Sequence, residues 1–320
     1  MTSSRKHHYV TAAYLEGFAD ARGKLYVVDV GRGQLRPNQA ARSVAHARDL
    51  HRIDVPGVSP DDVEGAMASI EGPAVGVIKR MIGAVRLPEG DELTRLLAFV
   101  ALHGARVPRV RALTSGAVDE TMRTMLRMAS ATAEHWAATQ SSMIAAGYDG
   151  VENLTFEEMH EYVERGEFKV SMGNTWEVEQ VLNQADLLCD LLVRRNWTLL
   201  VAICRGDYFI SSADPVGLAW STPRPPSMFG PGFGLRNTDV TFPISSNLAI
   251  LGKFEAIPRI LPADTELVAA VNSRTGRGAN EVYARSHDFP WLGPDHTIRR
   301  GGLLDAWKAT RAAGGGGNDA

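Results

Sequence analysis

The residues most able to do chemistry are scattered along this chain rather than gathered in one motif. His8 and Tyr9 stand in "RKHHYVTAAYLEGFAD" near the amino terminus. An imidazole titrates close to neutrality, so His8 can serve as a general base with Tyr9 beside it. The competing reading is that both hydrogen-bond backbone and fix the first segment onto the fold, with His7 a solvated neighbour. Glu71 lies among Ile70, Val75 and Ile78, where a carboxylate is costly unless paired. Arg106 and Arg109 in "ARVPRVR" are its natural partners, which makes a Glu–Arg–Arg group either a substrate clamp or a structural tie. On a helical wheel Arg95, Arg106 and Arg109 fall within about 60° of one another. Six arginines and two acids between 95 and 127 could hold a phosphate, because guanidinium forks match its oxygens. Equally, they can pair with residues 152–190, which carry ten acids and two bases. Ser212 and Asp214 in "ISSADPV" end a strand before a loop rich in glycine and proline. That places small polar groups at a sheet rim, although Asp-Pro also starts turns.

Several chemistries lack their signatures. Neither a dinucleotide fingerprint nor a P-loop occurs, and "GPGFG" at 230–234 has no strand–helix context. HExxH is missing, Ser212 is not in a GxSxG elbow, and His46 and His51 have no third ligand. No metal site and no particular cofactor is expected.

The elements that must position these residues follow from patterning. With 320 residues and 44% hydrophobic composition, the chain can bury a large core without disulfides. A net charge of −3 excludes a globally basic nucleic-acid coat, though not a local basic patch. Two cysteines, the lack of an apolar amino-terminal segment, and the lack of a run of roughly 18–20 apolar residues point to a cytoplasmic protein with no membrane association.

A short helix is expected after Thr11, with Tyr14, Leu15 and Phe18 on one face, then a hairpin from "KLYVVDV" through the Gly-Arg-Gly turn. Helices fill the middle. One opens at Ser59-Pro60-Asp61-Asp62, and one runs from Leu93 until Pro108 kinks or ends it. A long one runs through Met122, Met125, Leu126, Ala129, Ala133 and Trp136. Capping signals occur at Thr155/Glu158 and again at Asn174/Glu177. Strands return at "WTLLVAI", "YFIS" and "LAILGKF", followed by a helix from "TELVAAVN" that carries Asn272. Residues 214–234, with nine glycines and prolines, read as a long loop.

The class is therefore α+β, with a mixed or antiparallel sheet built from amino- and carboxy-terminal strands and a large helical layer between. We expect a single domain over residues 1–310 with a helical insertion at about 56–195, and a disordered tail over 311–320.

The ordered series "HHYV", "AYLEGFAD", "KLYVVD", "SIEGPAVGVI", "ARVPRVR", "WTLLVAICRGDYFISSADPV" and "FPISSNLAIL", with Asn272 after it, resembles a bacterial family catalogued as domain of unknown function 4238. Two positions depart from the family pattern: Thr11 stands where members have proline, and Ala213-Asp214 where they have Asp-Asn. If the displaced aspartate is catalytic in relatives, this chain is altered or inactive. The family name supplies no reaction.

Two functions stay open. The first is an enzyme, of hydrolase type, acting on a phosphate-bearing substrate such as nucleic acid. Its catalytic groups would be His8, Glu71 and Asp214, with Tyr9, Arg106, Arg109, Ser212 and Asn272 binding substrate. The second is a non-catalytic binding or regulatory module that meets a protein partner through the 215–234 loop and its Trp220, Phe229 and Phe233. An inactive relative is a third, lesser reading.

Overall fold

A computed structural model describes residues 6–48, 50, 53, 55, 59, 62–222, 224 and 229–314, with backbone alone for 6 and 309–314. The chain opens with strand β1 (Lys6–His8), helix α1 (Ala12–Leu15), the hairpin β2 (Leu25–Asp29) and β3 (Gln34–Gln39), and strand β4 (His46–Arg48). Helices follow: α2 (Asp62–Ala84), α3 (Gly90–Ala105), α4 (Pro108–Ala129), α5 (Ala133–Ala145), α6 (Phe156–Arg165) and α7 (Asn174–Val193). The third part holds β5 (Asn196–Ala202), β6 (Ser211–Ser212), β7 (Gly217–Trp220), β8 (Thr238–Pro243), β9 (Leu248–Lys253) and β10 (Ile260–Ala263). It closes with α8 (Thr265–Gly276), β11 (Glu281–Ala284), β12 (Pro290–Leu292), β13 (Ile298–Arg300) and α9 (Leu303–Gly314).

The α+β class holds, but the strands do not form the one sheet expected. The two ends of the chain do meet in an antiparallel sheet ordered β3-β2-β11-β6. A second, mixed sheet, β10-β5-β9-β8-β7, is built wholly from residues after 195, with β5 parallel to β10 and antiparallel to β9. Its central strands β5, β9 and β8 are largely buried on both faces. On one face Trp197, Leu199, Phe242 and Ile250 share a core with α2, α3 and α7. On the other, Leu200, Ala249 and Leu251 pack on Val268 and Val271 of α8. Side chains that alternate across the pleat explain why one strand serves two cores. Within this sheet Gly252 lies opposite Trp197, and a Cβ on Gly252 would come within 2.8 Å of the indole ring. Gly252→Ala is therefore expected to cost about 1–3 kcal/mol by overpacking, read as a lower urea midpoint at unchanged slope.

Helix α1 is one turn long, yet its Tyr14 and Leu15, and Phe18 in the 3-10 turn that follows, are all buried. Tyr14 stacks on Phe242, meets Phe18 and Phe99 edge-on, and its hydroxyl donates to the Pro243 carbonyl at 2.8 Å. This pins the amino-terminal segment, and with it the candidate residues, between the helical layer and the second sheet.

Other local expectations are revised. Pro108 opens α4 at its first turn, where its missing donor is harmless, instead of kinking a continuous helix. The apolar period through Met122 and Trp136 spans two helices, since Thr132 caps α5 and breaks the run. No α4 side chain is buried, and Met122 and Met125 face solvent. Thr155 and Glu158 form the expected capping box. Asn174 and Glu177 do not repeat it, because both turn to Arg111. The stretch read as a 214–234 loop contains β7, and residues 223 and 225–228 lie outside those described. Helix α9 runs to Gly314, into the span expected to be disordered; 315–320 are outside the described residues, as are Pro60 and Asp61. Among the described residues no helix is long and apolar enough to cross a membrane.

Candidate active site

Among the described residues strand β1 pairs only with β4, in the register His8↔His46, and its side chains enter different environments. His7 is buried, its Nε2 3.1 Å from Glu64 Oε2, which corrects the reading of it as a solvated neighbour. His8 is half-buried. Its Nε2 lies 3.3 Å from the Arg42 carbonyl and its ring meets His46 edge-on at 5.6 Å. Burial, more than any other cause, lowers its pKa below the ordinary histidine value. His46 and Arg106 push it down further, while the Arg42 hydrogen bond and Glu71 oppose them. Tyr9 turns the other way and donates to Glu281 at 3.3 Å.

Arg106, just past α3, is the hub. It is 2% exposed, and its guanidinium donates in four directions. Nε reaches the Tyr9 carbonyl at 2.9 Å and Nη1 the Glu71 carboxylate. Nη2 reaches Thr11 Oγ1 at 2.9 Å and His103 Nε2 at 3.0 Å. Thr11 does not cap α1 with its side chain, because that oxygen is taken by Arg106.

A guanidinium can only donate, so His103 Nε2 must accept. It accepts from the Thr11 N–H at 3.3 Å as well, and Nδ1 donates to the Phe99 carbonyl at 2.9 Å. The ring is neutral, and burial followed by the Arg106 charge holds its pKa well below 6.5. The unfolded chain takes up this proton first as pH falls, so the stability contributed is complete above about pH 6.5 and is lost as pH drops toward the folded value. His8 acts in the same direction. Thermal melting from pH 8 to pH 5 is expected to show a falling midpoint that His103→Gln flattens; a pH-independent midpoint would contradict the assignment.

Arg109 sits in the first turn of α4 and is half exposed, with Nε 2.5 Å from Asp214 Oδ2. Its Nη1 and Nη2 take no partner among the described residues. Asp214 is buried, which raises its pKa, and Arg109 opposes that rise. The Asp214 N–H donates to Ser212 Oγ at 3.0 Å, and Ser212 Oγ donates in turn to the Thr275 carbonyl at 2.7 Å. Asn272 is 1% exposed. It accepts from the Ile210 N–H at 3.0 Å and donates to the Tyr208 and Pro290 carbonyls, each at 2.9 Å.

Seven of the eight residues singled out in the sequence thus lie along one band joined by hydrogen bonds and chain neighbours, though in unequal roles, while Asn272 bonds instead to Tyr208, Ile210 and Pro290. His8, Glu71 and Arg106 form one end. Tyr9 leads through Glu281, whose carbonyl accepts from the Ala213 N–H at 2.8 Å, to Asp214 and Arg109. Ser212 and Asn272 are enclosed by the fold. The three arginines read as one helix face are separated: Arg95 is exposed on α3, Arg106 is buried, and Arg109 belongs to the next helix. The acidic stretch claims Arg111, through Glu177, but not Arg106 or Arg109.

Sequence reasoning missed His103, Glu281, Tyr283 and Arg36. Glu281 accepts from Tyr283 at 2.6 Å and from Arg36, as well as from Tyr9. Burial, then the Glu281 charge, pushes the Tyr9 hydroxyl up to about 12. The readable signal was Glu281-x-Tyr283 on one strand, which places both side chains on the same face. Among the described residues no group of three His, Cys, Asp or Glu side chains is placed to hold a metal ion.

Residues 6–288 match the profile of a family described as protein of unknown function (DUF4238). No curated protein and no solved structure matches the chain.

Proposed function

The chain belongs to the DUF4238 family, and we propose that it is an enzyme acting on a phosphate-bearing substrate, nucleic acid among the candidates, with His8 as general base. The observation that carries this reading is the placement of His8, half-buried at the end of a charged band, where burial lowers its pKa below the ordinary histidine value and so favours the base form. Glu71 holds Arg106, and Arg106 holds the backbone of Tyr9, so these two orient His8 and do not contact substrate. Arg109 is the anion contact, since its side chain is half exposed and its outer nitrogens, without a partner among the described residues, can donate to phosphate oxygens while Nε stays on Asp214. The hydrolase assignment and a bacterial, cytoplasmic setting complete the proposal; the free thiols of Cys189 and Cys204 suit a reducing compartment.

The test is turnover of labelled single- and double-stranded DNA and RNA, and of simple phosphate esters, with and without Mg²⁺ or Mn²⁺. His8→Ala is expected to lower kcat by about 10²-fold or more at unchanged melting temperature. Arg109→Ala is expected to raise KM more than it lowers kcat. A wild-type protein that turns over none of these, or a His8→Ala variant as active as wild type, defeats the reading.

One observation favours the second reading, a binding module for a protein partner. Arg106, Ser212 and Asn272 are buried and committed to groups within the chain, whereas the 215–234 region offers Trp220 under the Arg224 guanidinium at 4.2 Å and an exposed Phe229. On that reading a specific pull-down partner is lost in Trp220→Ala while His8→Ala still binds.

A further inference from the structure

The two larger sheets end in the edge strands β3, β6, β10 and β7. Folds usually blunt such edges, because unpaired backbone groups there invite another chain. Here β6 is two residues long, while β3 and β10 carry Pro37 and Pro262, which have no N–H to offer an added strand. Strand β7, Gly-Leu-Ala-Trp, has neither proline nor charge.

Register fixes which of its backbone groups are free. The Ser221 N–H donates to the Asn237 carbonyl at 2.8 Å, in line with the β7–β8 pairing, so Ser221 faces β8. By alternation Ala219 and Gly217 face β8 too, and Leu218 and Trp220 turn their N–H and C=O away from it. The other side of β8 agrees. The Ile244 N–H donates to Leu248 in the β8–β9 register, which gives the even-numbered residues of β8 to β9 and the odd ones to β7. The outward groups of Leu218 and Trp220 take no hydrogen-bond partner among the described residues, and residues 218–220 are partly exposed.

The surroundings of this edge are cationic. Leu218 and Trp220 share one face of the pleat, where Arg224 lies 4.2 Å over the Trp220 ring, exposed and without a carboxylate among the described residues. On the other face Asp239, opposite Ala219, is a single buried carboxylate between Lys253 at 3.1 Å and Arg274 at 3.3 Å. A Cβ on Gly217 would come within 3.1 Å of the Arg274 Cβ, so this arginine lies against β7 itself. Positive charge is thus in surplus on both faces.

We infer that β7 accepts an extended acidic peptide as a sixth strand of the mixed sheet. Backbone bonds to Leu218 and Trp220 hold it, and its apolar side chains continue the face of those two residues. Its carboxylates fall at the alternate positions on the Arg274 side, and an acid beyond the end of β7 meets Arg224. This inference rests on the second reading above, whose contact surface it specifies, and is independent of the catalytic band.

The probe is a fluorescein-labelled heptapeptide alternating glutamate and valine, titrated by anisotropy. Its lysine counterpart, and the glutamate peptide N-methylated at every amide, are expected to bind at least about tenfold more weakly. In amide exchange of the free protein, Leu218 and Trp220 are expected to exchange at least about tenfold faster than Ala219, and the acidic peptide to slow both. Leu218→Pro removes an outward N–H and no bond to β8, and is expected to abolish binding. Arg224→Glu alters an exposed side chain, and is expected to weaken binding about tenfold at unchanged melting temperature. No binding of the acidic peptide up to about 1 mM, or equal binding of the lysine or N-methylated peptide, overturns the inference. A dimer in sedimentation that Leu218→Pro dissolves would give the edge to a second copy instead. If Leu218→Pro keeps a partner that Trp220→Ala loses, strand addition fails while the second reading stands.

Discussion

Arg106→Met is expected to lower folding stability by about 3–5 kcal/mol, measured as the shift in urea unfolding at pH 7.5. Methionine fills much of the same volume, so little of the loss comes from a cavity. It comes from what the guanidinium leaves behind. Glu71 keeps a largely enclosed carboxylate without its cation, and the Tyr9 carbonyl and Thr11 hydroxyl each lose a donor at 2.9 Å. His103 Nε2 keeps only the longer contacts, 3.3 Å each, with the Thr11 N–H and the Thr11 hydroxyl. Removing one partner of a buried pair strands the other, whereas removing both relieves the stranded charge. The double variant Arg106→Met/Glu71→Leu is therefore expected to recover a substantial part of the loss, a coupling that a double-mutant cycle reads directly. Arg106→Lys keeps the charge but not the fork, and is expected to fall between wild type and methionine. A loss under about 1 kcal/mol for Arg106→Met, or no recovery in the double variant, would show that the hub is not what holds β1 and α1 in place.

The Glu71–Arg106 pair was legible in part, because a carboxylate in an apolar helix stretch demands a cation; the sequence offered Arg106 and Arg109 alike, and only the fold gives Arg109 to Asp214 instead. The hairpin at residues 25–39, the capping box at Thr155/Glu158 and the helix carrying Asn272 were legible for a related reason: each rests on signals a few residues apart. Other features depend on contacts far apart in the chain. The apolar period does not mark the break between α4 and α5, because it continues across Thr132 while the backbone does not. Asn174 and Glu177 have the spacing of a cap, but Arg111, more than sixty residues earlier, offers them a charged partner that a local pattern cannot display. His103 looks like one more position on the α3 face; only its meeting with Thr11 and Arg106 fixes it as a neutral acceptor. Asp207 sits in a turn signal, and nothing in its neighbours says that one oxygen is enclosed without a donor. Chemistry at single residues was thus readable where local energetics demanded a partner, and unreadable where tertiary packing chose among several partners.

Asn272→Ala is expected to cost about 2–4 kcal/mol, because one side chain serves three buried backbone groups on two segments. Its carbonyl accepts from Ile210 N–H and its amide donates to the Tyr208 and Pro290 carbonyls, so α8 is tied both to the segment entering β6 and to the start of β12. Alanine leaves all three without partners in a site too enclosed for ready solvation. Asn272→Asp is the sharper probe. It retains the acceptor for Ile210 but offers no donor to the two carbonyls, and in its ionised form it brings a charge into a site that is 1% exposed. Its loss is expected to equal or exceed that of alanine at pH 7.5 and to shrink as acid neutralises the carboxyl. The same experiment separates the two roles this residue has been given. If Asn272 is a tie, activity per folded molecule at low temperature stays close to wild type while the urea midpoint falls. Should activity vanish in a variant whose urea midpoint is unchanged, Asn272 would instead touch substrate, and the band that runs from His8 to Asp214 would have to extend through β6 to α8.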